Sequence, residues 1–376
     1  MTARRRITVL LPVSGLIVLA VCGLTLLALA TVRVGPLAVA IGVAAALVPV
    51  AVVVAVFLWI DRWEPEPARL LLLAFAWGAC LAAIVALLIN DTAEAVGDLL
   101  LGVGQGGKVS ALVSAPLVEE AVKGFFVLAV LLRRSDEFDG VIDGIVYAGF
   151  TAAGFAFTEN IYYFGRAFAE HGFGSGTSDG VIAAFVLRGV LSPFTHPLFA
   201  ALTGVGLGVA AATSRRALRI LAPLGGYLAA VLLHALWNGA ATLGGAQAFL
   251  NVYFLIMVPI FIAVALLVLL QRRREQRIIA AALPGMVRER WIAASEVDLL
   301  ASLKGRRTWR RQAGRQSGRA AARAVAAYQT CVTELAFLNR HEANPGRVQR
   351  EQKLLTRLRA ARAEAVRLAG QARPQC

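Results

Sequence analysis

Over the first 270 residues, apolar positions come in runs of 20 or more, each closed by a short polar or turn-forming stretch. At ~1.5 Å of rise per residue, a helix of that length crosses the ~30 Å hydrocarbon core of a bilayer. The pattern predicts eight spans, near 7–32, 36–60, 69–90, 109–132, 141–165, 192–213, 217–244 and 249–270. Residues 178–213 read either as one long helix or as an interfacial helix followed by a span, and Pro193 and Pro197 favour a break. The first run follows Arg4, Arg5 and Arg6, as in a signal peptide. It continues to about Val32, longer than a signal h-region, and is expected to be a retained helix. The expected fold class is all-α: a polytopic helical membrane protein.

After residue 270 the pattern changes. Candidate helices there cover 286–304, 317–340 and 347–370 and are rich in arginine. The stretch EANPG (Glu342 to Gly346) would turn the last two into an antiparallel hairpin, with Leu335, Leu338, Leu354, Leu355 and Leu358 as its seam. The expected organisation is a transmembrane hairpin over 1–60, a membrane core over 61–270 and a basic helical tail over 271–376.

Composition agrees: 58% of the 376 residues are hydrophobic and the mean hydropathy is +0.69, against ~45–50% apolar residues in ordinary soluble domains. The net charge of +15 is localised. Residues 1–270 carry 15 Lys+Arg and 15 Asp+Glu, and residues 271–376 carry 23 and 8, so the whole excess lies in the tail. A basic segment beside a membrane implies anionic lipid or a cytoplasmic partner. No motif supports nucleic-acid binding. With the N-terminus inside, thirteen cations flank the inner ends of the spans (three of them Arg272, Arg273 and Arg274). The outer loops hold three: Arg33, Lys108 and Arg166. The positive-inside rule then places both termini in the cytoplasm of a multi-pass plasma-membrane protein. The four cysteines form no CxxC pair.

The apolar pattern is broken where chemistry is cheapest to detect. Glu119, Glu120 and Lys123 lie in the fourth predicted span, Asp143 and Glu159 in the fifth, His196 in the sixth and His234 in the seventh. A mid-membrane charge costs ~2.5–3.5 kcal/mol, so such groups must be paired, solvated or metal-bound. Asp143 is near the inner end of its span, where water is expected. Glu119 and Lys123, four apart on one face, could pair, which leaves Glu120 and Glu159 without local partners. Glu119, Glu120 and His234 lie ~15 Å below the outer ends of their spans, Glu159 ~9 Å and His196 ~6 Å, all in the outer half of the membrane. A carboxylate with two neutral imidazoles suits a divalent metal, above all zinc, and makes Glu159, His196 and His234 the expected ligands. Glu120 or Glu119 would then be the base that takes a proton from water. Asn160 and Asn238 could orient a ligand or donate to an oxyanion. Arg188, Tyr147 and Tyr162 read as interfacial anchors.

The segments EEAVK (Glu119 to Lys123), FAFTEN (Phe155 to Asn160), His196 and HALWN (His234 to Asn238) together resemble the PrsW family of intramembrane proteases. DRWEPEP (Asp61 to Pro67) looks like that family's loop ahead of its core, although its spacing alone suggests no chemistry. The related CAAX prenyl endopeptidases carry an arginine in the first motif and a histidine where Glu159 stands, so Lys123 and Glu159 mark the PrsW side. The resemblance covers roughly residues 60–245. It implies peptide-bond cleavage in membrane-anchored substrates, with anti-sigma factors as the family's suggestion, and it implies nothing for the tail. Intramembrane carboxylates also mark ion-coupled transporters, but no inverted repeat is present. A non-catalytic scaffold holding a partner through its tail is the remaining alternative.

Overall fold

The computed structural model describes residues 3–134, 138–174, 179–338 and 345–370. It is all-α, with no strand among the described residues. The chain forms two compact units, Met1–Asp61 with Glu66–Leu266, and Arg62–Pro65 with Leu267–Cys376.

The first unit is built from α1 (Ala3–Val34), α2 (Pro36–Ile60), α3 (Ala68–Leu101), α4 (106–133), α5 (Val141–His171), α6 (180–191), α7 (Thr195–Ala212), α8 (Arg216–Leu243) and residues 245–266 of α9 (Gly245–Arg288). Seven stretches of described helix are long and apolar enough to cross a membrane. α4 is not one of them by composition, because Glu119, Glu120 and Lys123 interrupt its apolar run. The stretch 178–213 does break ahead of the sixth predicted span: Ser192–Phe194 separates α6 from α7, and Pro193 has no N–H to continue the ladder.

α5 is the central helix. Buried residues make up 83% of its apolar window, against 22% for α8, and it packs on α2, α3 and α7. Small residues permit this closeness. A Cβ on Gly144 would lie 2.0 Å from the Gly204 carbonyl of α7, and one on Gly78 of α3 would lie 1.8 Å from the Thr151 carbonyl of α5. Backbones can meet there only without side chains. α3 widens into a π-turn at Trp77–Ala82. Such a turn disturbs the helical ladder, and the Thr158 hydroxyl of α5 donates to the Ala79 carbonyl at 2.7 Å.

Two expectations are corrected in this unit. Tyr147 is no interfacial anchor: it is fully buried, and its hydroxyl donates to Glu66 Oε2 at 2.6 Å. Asp143 is 8% exposed, less open to water than expected, and accepts from the Asp139 and Gly140 amides at 2.8 Å each. Tyr162 stays partly exposed, with the Arg33 guanidinium 6.0 Å from its ring centroid.

The second unit contains residues 267–288 of α9, the short α10 (Val297–Leu300), α11 (Leu303–Leu338) and α12 (Pro345–Gly370). Leu335, Leu338, Leu354 and Leu358 are buried in one cluster with Trp63, Ile279, Leu283 and Tyr328, and Leu355 packs against it. The EANPG turn falls, through residue 344, outside the described residues. One boundary differs from the pattern-based expectation. The stretch 286–304 is interrupted: α9 ends at Arg288, Arg290 takes φ 59°, and the turn buries Ile292 in the tail core. α11 is divided at Gly318 (φ 81°): its second part matches the helix expected from 317, and its first part, from Leu303, is an additional helix whose Trp309 packs edge-on against Tyr328 at 5.8 Å. Arg306 is buried in this unit, donating to the Leu300 carbonyl at 2.8 Å and to the Thr333 hydroxyl at 2.6 Å. Burial and the neighbouring Arg310 bring its guanidinium pKa down to about 10.

Candidate functional site

Five helices of the first unit bring their polar residues together. α4 contributes Glu119, Glu120 and Lys123; α5 contributes Glu159 and Asn160; α6, α7 and α8 contribute Arg188, His196 and His234. Lys123 is 1% exposed and sits among acceptors. Its Nζ lies 2.9 Å from Glu120 Oε1, 3.5 Å from Glu119 Oε2 and 3.2 Å from His196 Nδ1, and it stands 4.1 Å from the centroid of the Phe155 ring. The closer carboxylate is Glu120 and not Glu119, the pair anticipated from the sequence. Glu119 Oε1 instead accepts from the Asn90 side-chain amide of α3 at 3.3 Å, and Asn90 Oδ1 accepts from the Ser114 hydroxyl at 2.7 Å.

The two imidazoles are oriented by opposite means to the same end. Lysine can only donate, so His196 Nδ1 facing Lys123 is the acceptor and Nε2 carries the proton. That Nε2 donates to Glu159 Oε2 at 2.8 Å. On His234 it is Nδ1 that faces a carboxylate, Glu120 Oε1 at 3.1 Å, leaving Nε2 with the lone pair. Aromatic rings set the ring planes: Phe199 stacks on His234 at 4.8 Å, and Phe155 lies 5.4 Å from His196.

One ligand atom each from Glu119, His196 and His234 lies within 4.8 Å of the other two. One carboxylate and two imidazoles, each with its other nitrogen on a carboxylate, form a donor set that fits a divalent ion such as zinc. Glu120 Oε2 is buried and has no hydrogen-bond partner among the described residues, so the cluster has acceptor capacity left over. Glu159, named among the ligands from sequence, lies outside this trio, with its Oε2 on His196 and the Arg188 guanidinium. Asn160 Oδ1 accepts from Arg188 Nε at 2.7 Å. The Asn238 amide donates to the Ala111 carbonyl at 2.9 Å, inside the π-turn Ser110–Ser114 of α4, and so ties α8 to α4.

Arg188 corrects the anchor reading. It contacts Glu159 and Asn160, and its guanidinium lies 4.0 Å over the Tyr163 ring. Its sequence signal was a lone cation in the apolar stretch 180–191, just ahead of His196; Asn90 gave only the weaker signal of a polar residue ending an apolar run. A cavity of about 370 Å³ opens beside these groups, walled by Asn160, Tyr163, Arg188, Thr195, His196 and Trp237 among others.

A multi-helix membrane protein with a buried Glu–Lys–His cluster, whose His196 lines a cavity, is the class defined by these features. The model of the PrsW family intramembrane metalloproteases matches residues 66–264, just over half of the chain, and the chain belongs to that family. Among curated relatives, Protease PrsW of Geobacillus kaustophilus is 31% identical over 150 residues, 40% of this chain and 58% of that protein. Protease PrsW of Oceanobacillus iheyensis is 32% identical over 130 residues (35% and 53%), and that of Bacillus subtilis 29% over 150 (40% and 60%). The chain thus spans a little over half the length of the curated relatives it matches. No solved structure matches.

Proposed function

We propose that the protein is an intramembrane endopeptidase that hydrolyses peptide bonds of membrane-anchored proteins, anti-sigma-factor-like substrates among them. The observation that carries this reading is the convergence of Glu119, His196 and His234 from three helices. These three would hold a divalent ion, zinc by donor chemistry, whose Lewis acidity makes hydroxide available near pH 7. Glu159 and Glu120 keep His196 and His234 in the tautomers that leave one lone pair each for binding. Glu120 Oε2, buried and unpartnered, takes the proton from water and passes it to the leaving amine. Lys123 holds Glu120 in place and balances its charge. Asn238 keeps α8 in register with α4, and Asn160 keeps Arg188 on the cavity wall. The cavity of about 370 Å³ admits the peptide beside His196. We further infer that both termini are cytoplasmic and that the arginine-rich tail contacts anionic lipid or a cytoplasmic partner.

The test is cleavage of single-span peptides by the reconstituted full chain. Glu120→Ala and His234→Ala should each lower the rate by at least ~10²-fold, the usual scale for losing an acid–base group. Wild-type rates in both variants would overturn the reading. One observation favours a metal-free version: the Lys123 amine already bonds Glu119, Glu120 and His196. Zinc at about one per chain, with activity lost on chelation and restored by zinc, decides for the metal.

A further inference from the structure

The aromatic contacts of His196 set the plane of its ring but not which nitrogen faces which neighbour; the polar contacts decide that. Lys123 faces the Nδ1 side and Glu159 holds the Nε2 side, and Glu159 is itself only partly enclosed, with 24% of its side chain exposed. A carboxylate with that freedom can rotate unless something holds it. Arg188 is placed to do so. Its Nη2 contacts Glu159 Oε2, the same oxygen that accepts from His196, and its Nε donates to Oδ1 of the adjacent Asn160 at 2.7 Å. One rigid guanidinium thus grips two consecutive side chains of α5 from α6. Tyr163, one turn further along α5, carries the guanidinium on its ring face at 4.0 Å. A lysine has no planar fork and could not reproduce this grip.

We propose that Arg188 is a positioning residue: it clamps Glu159 and Asn160 so that Glu159 fixes His196 with Nε2–H outward and the Nδ1 lone pair facing Lys123 and the glutamates of α4. This rests on the proposed function in one respect, the use of His196 as a ligand. Arg188 does not touch the reacting atoms; it acts through Glu159. Because it lines the cavity beside His196, a small solute can reach its place when the side chain is removed.

The chain has four histidines, so the full-length protein labelled with ¹⁵N only at histidine gives four resolvable ring-nitrogen pairs. In the wild type, His196 should show a single Nε2–H tautomer. Arg188→Gln should give a tautomer mixture and a zinc affinity about 10–100-fold lower, the usual cost of losing a partner behind a metal-binding histidine. Arg188→Lys should fall between the two. Arg188→Ala should show the same losses as Arg188→Gln, and millimolar methylguanidinium, entering the space left in the cavity, should return Arg188→Ala toward wild type in both readouts, which a merely structural defect would not allow. The proposal is overturned if Arg188→Gln keeps the wild-type tautomer, or if the loss in Arg188→Ala follows a lowered unfolding temperature and methylguanidinium leaves it unchanged. If the wild type binds no zinc, the metal reading falls while the tautomer measurement still decides the role of Arg188.

Discussion

Lys123 is the residue on which the buried charges of α4 balance. It is fully enclosed, and among the described residues removing its amine leaves Glu120 with His234 alone and Glu119 with Asn90 alone as hydrogen-bond partners. Breaking a buried pair by deleting one partner costs about 3–5 kcal/mol, because the other charge is left uncompensated. Lys123→Met should therefore lower the unfolding temperature in detergent markedly, and an unchanged midpoint would show that the glutamates do not depend on it. Tyr147→Phe is a milder case. It removes a donor to Glu66 and should cost about 1.5–3 kcal/mol, the range for a hydrogen bond to a charged group, read in the same melt. At this scale the sequence was informative wherever a polar residue stood in an apolar run: Glu119, Glu120, Lys123, Glu159, His196 and His234 all stood out. It could not assign their partners. Arg188 and Glu159 are 29 residues apart, and no local spacing rule links them.

Helix identity was legible from apolar period and length; helix contacts were not. The approach of α5 to α7 depends on Gly144 and Gly204, and that of α5 to α3 on Gly78 and Thr151. A Cβ at Gly144 would overlap the Gly204 carbonyl, so Gly144→Val should push α7 away and carry His196 off Glu159. Both a lower melting temperature and a loss of peptide cleavage are expected. Gly225 of α8 has nothing within 4 Å of its Cβ position and is the control. Gly225→Ala should leave activity intact and gain up to about 1 kcal/mol of helix propensity. The π-turns in α3 and α4 were also invisible beforehand. They are local departures from a 3.6-residue repeat, and side chains of α5 and α8 bond carbonyls within them, Thr158 to Ala79 and Asn238 to Ala111.

For the whole molecule the number of crossings decides orientation. Among the described residues seven stretches are apolar enough to span unaided, and α4 is the eighth only if its three ionisable groups are acceptable in the membrane. An even count puts both termini on one side; an odd count separates them. A C-terminal green fluorescent protein fusion should fluoresce if α4 crosses, while an alkaline phosphatase fusion after Gly104, ahead of α4, should be active in either case. An active phosphatase at the C-terminus would show that it does not. The amino-acid order by itself determined the helical membrane class, the position of the basic excess in the tail and the family motif, because length, hydropathy and charge are properties of a segment taken alone. Only the tertiary structure decided that Glu119 joins the two histidines, that Glu159 and Glu120 stand behind them, and that Arg188 reaches Glu159. Those are distances between helices far apart in the chain, set by which small residues let the backbones meet.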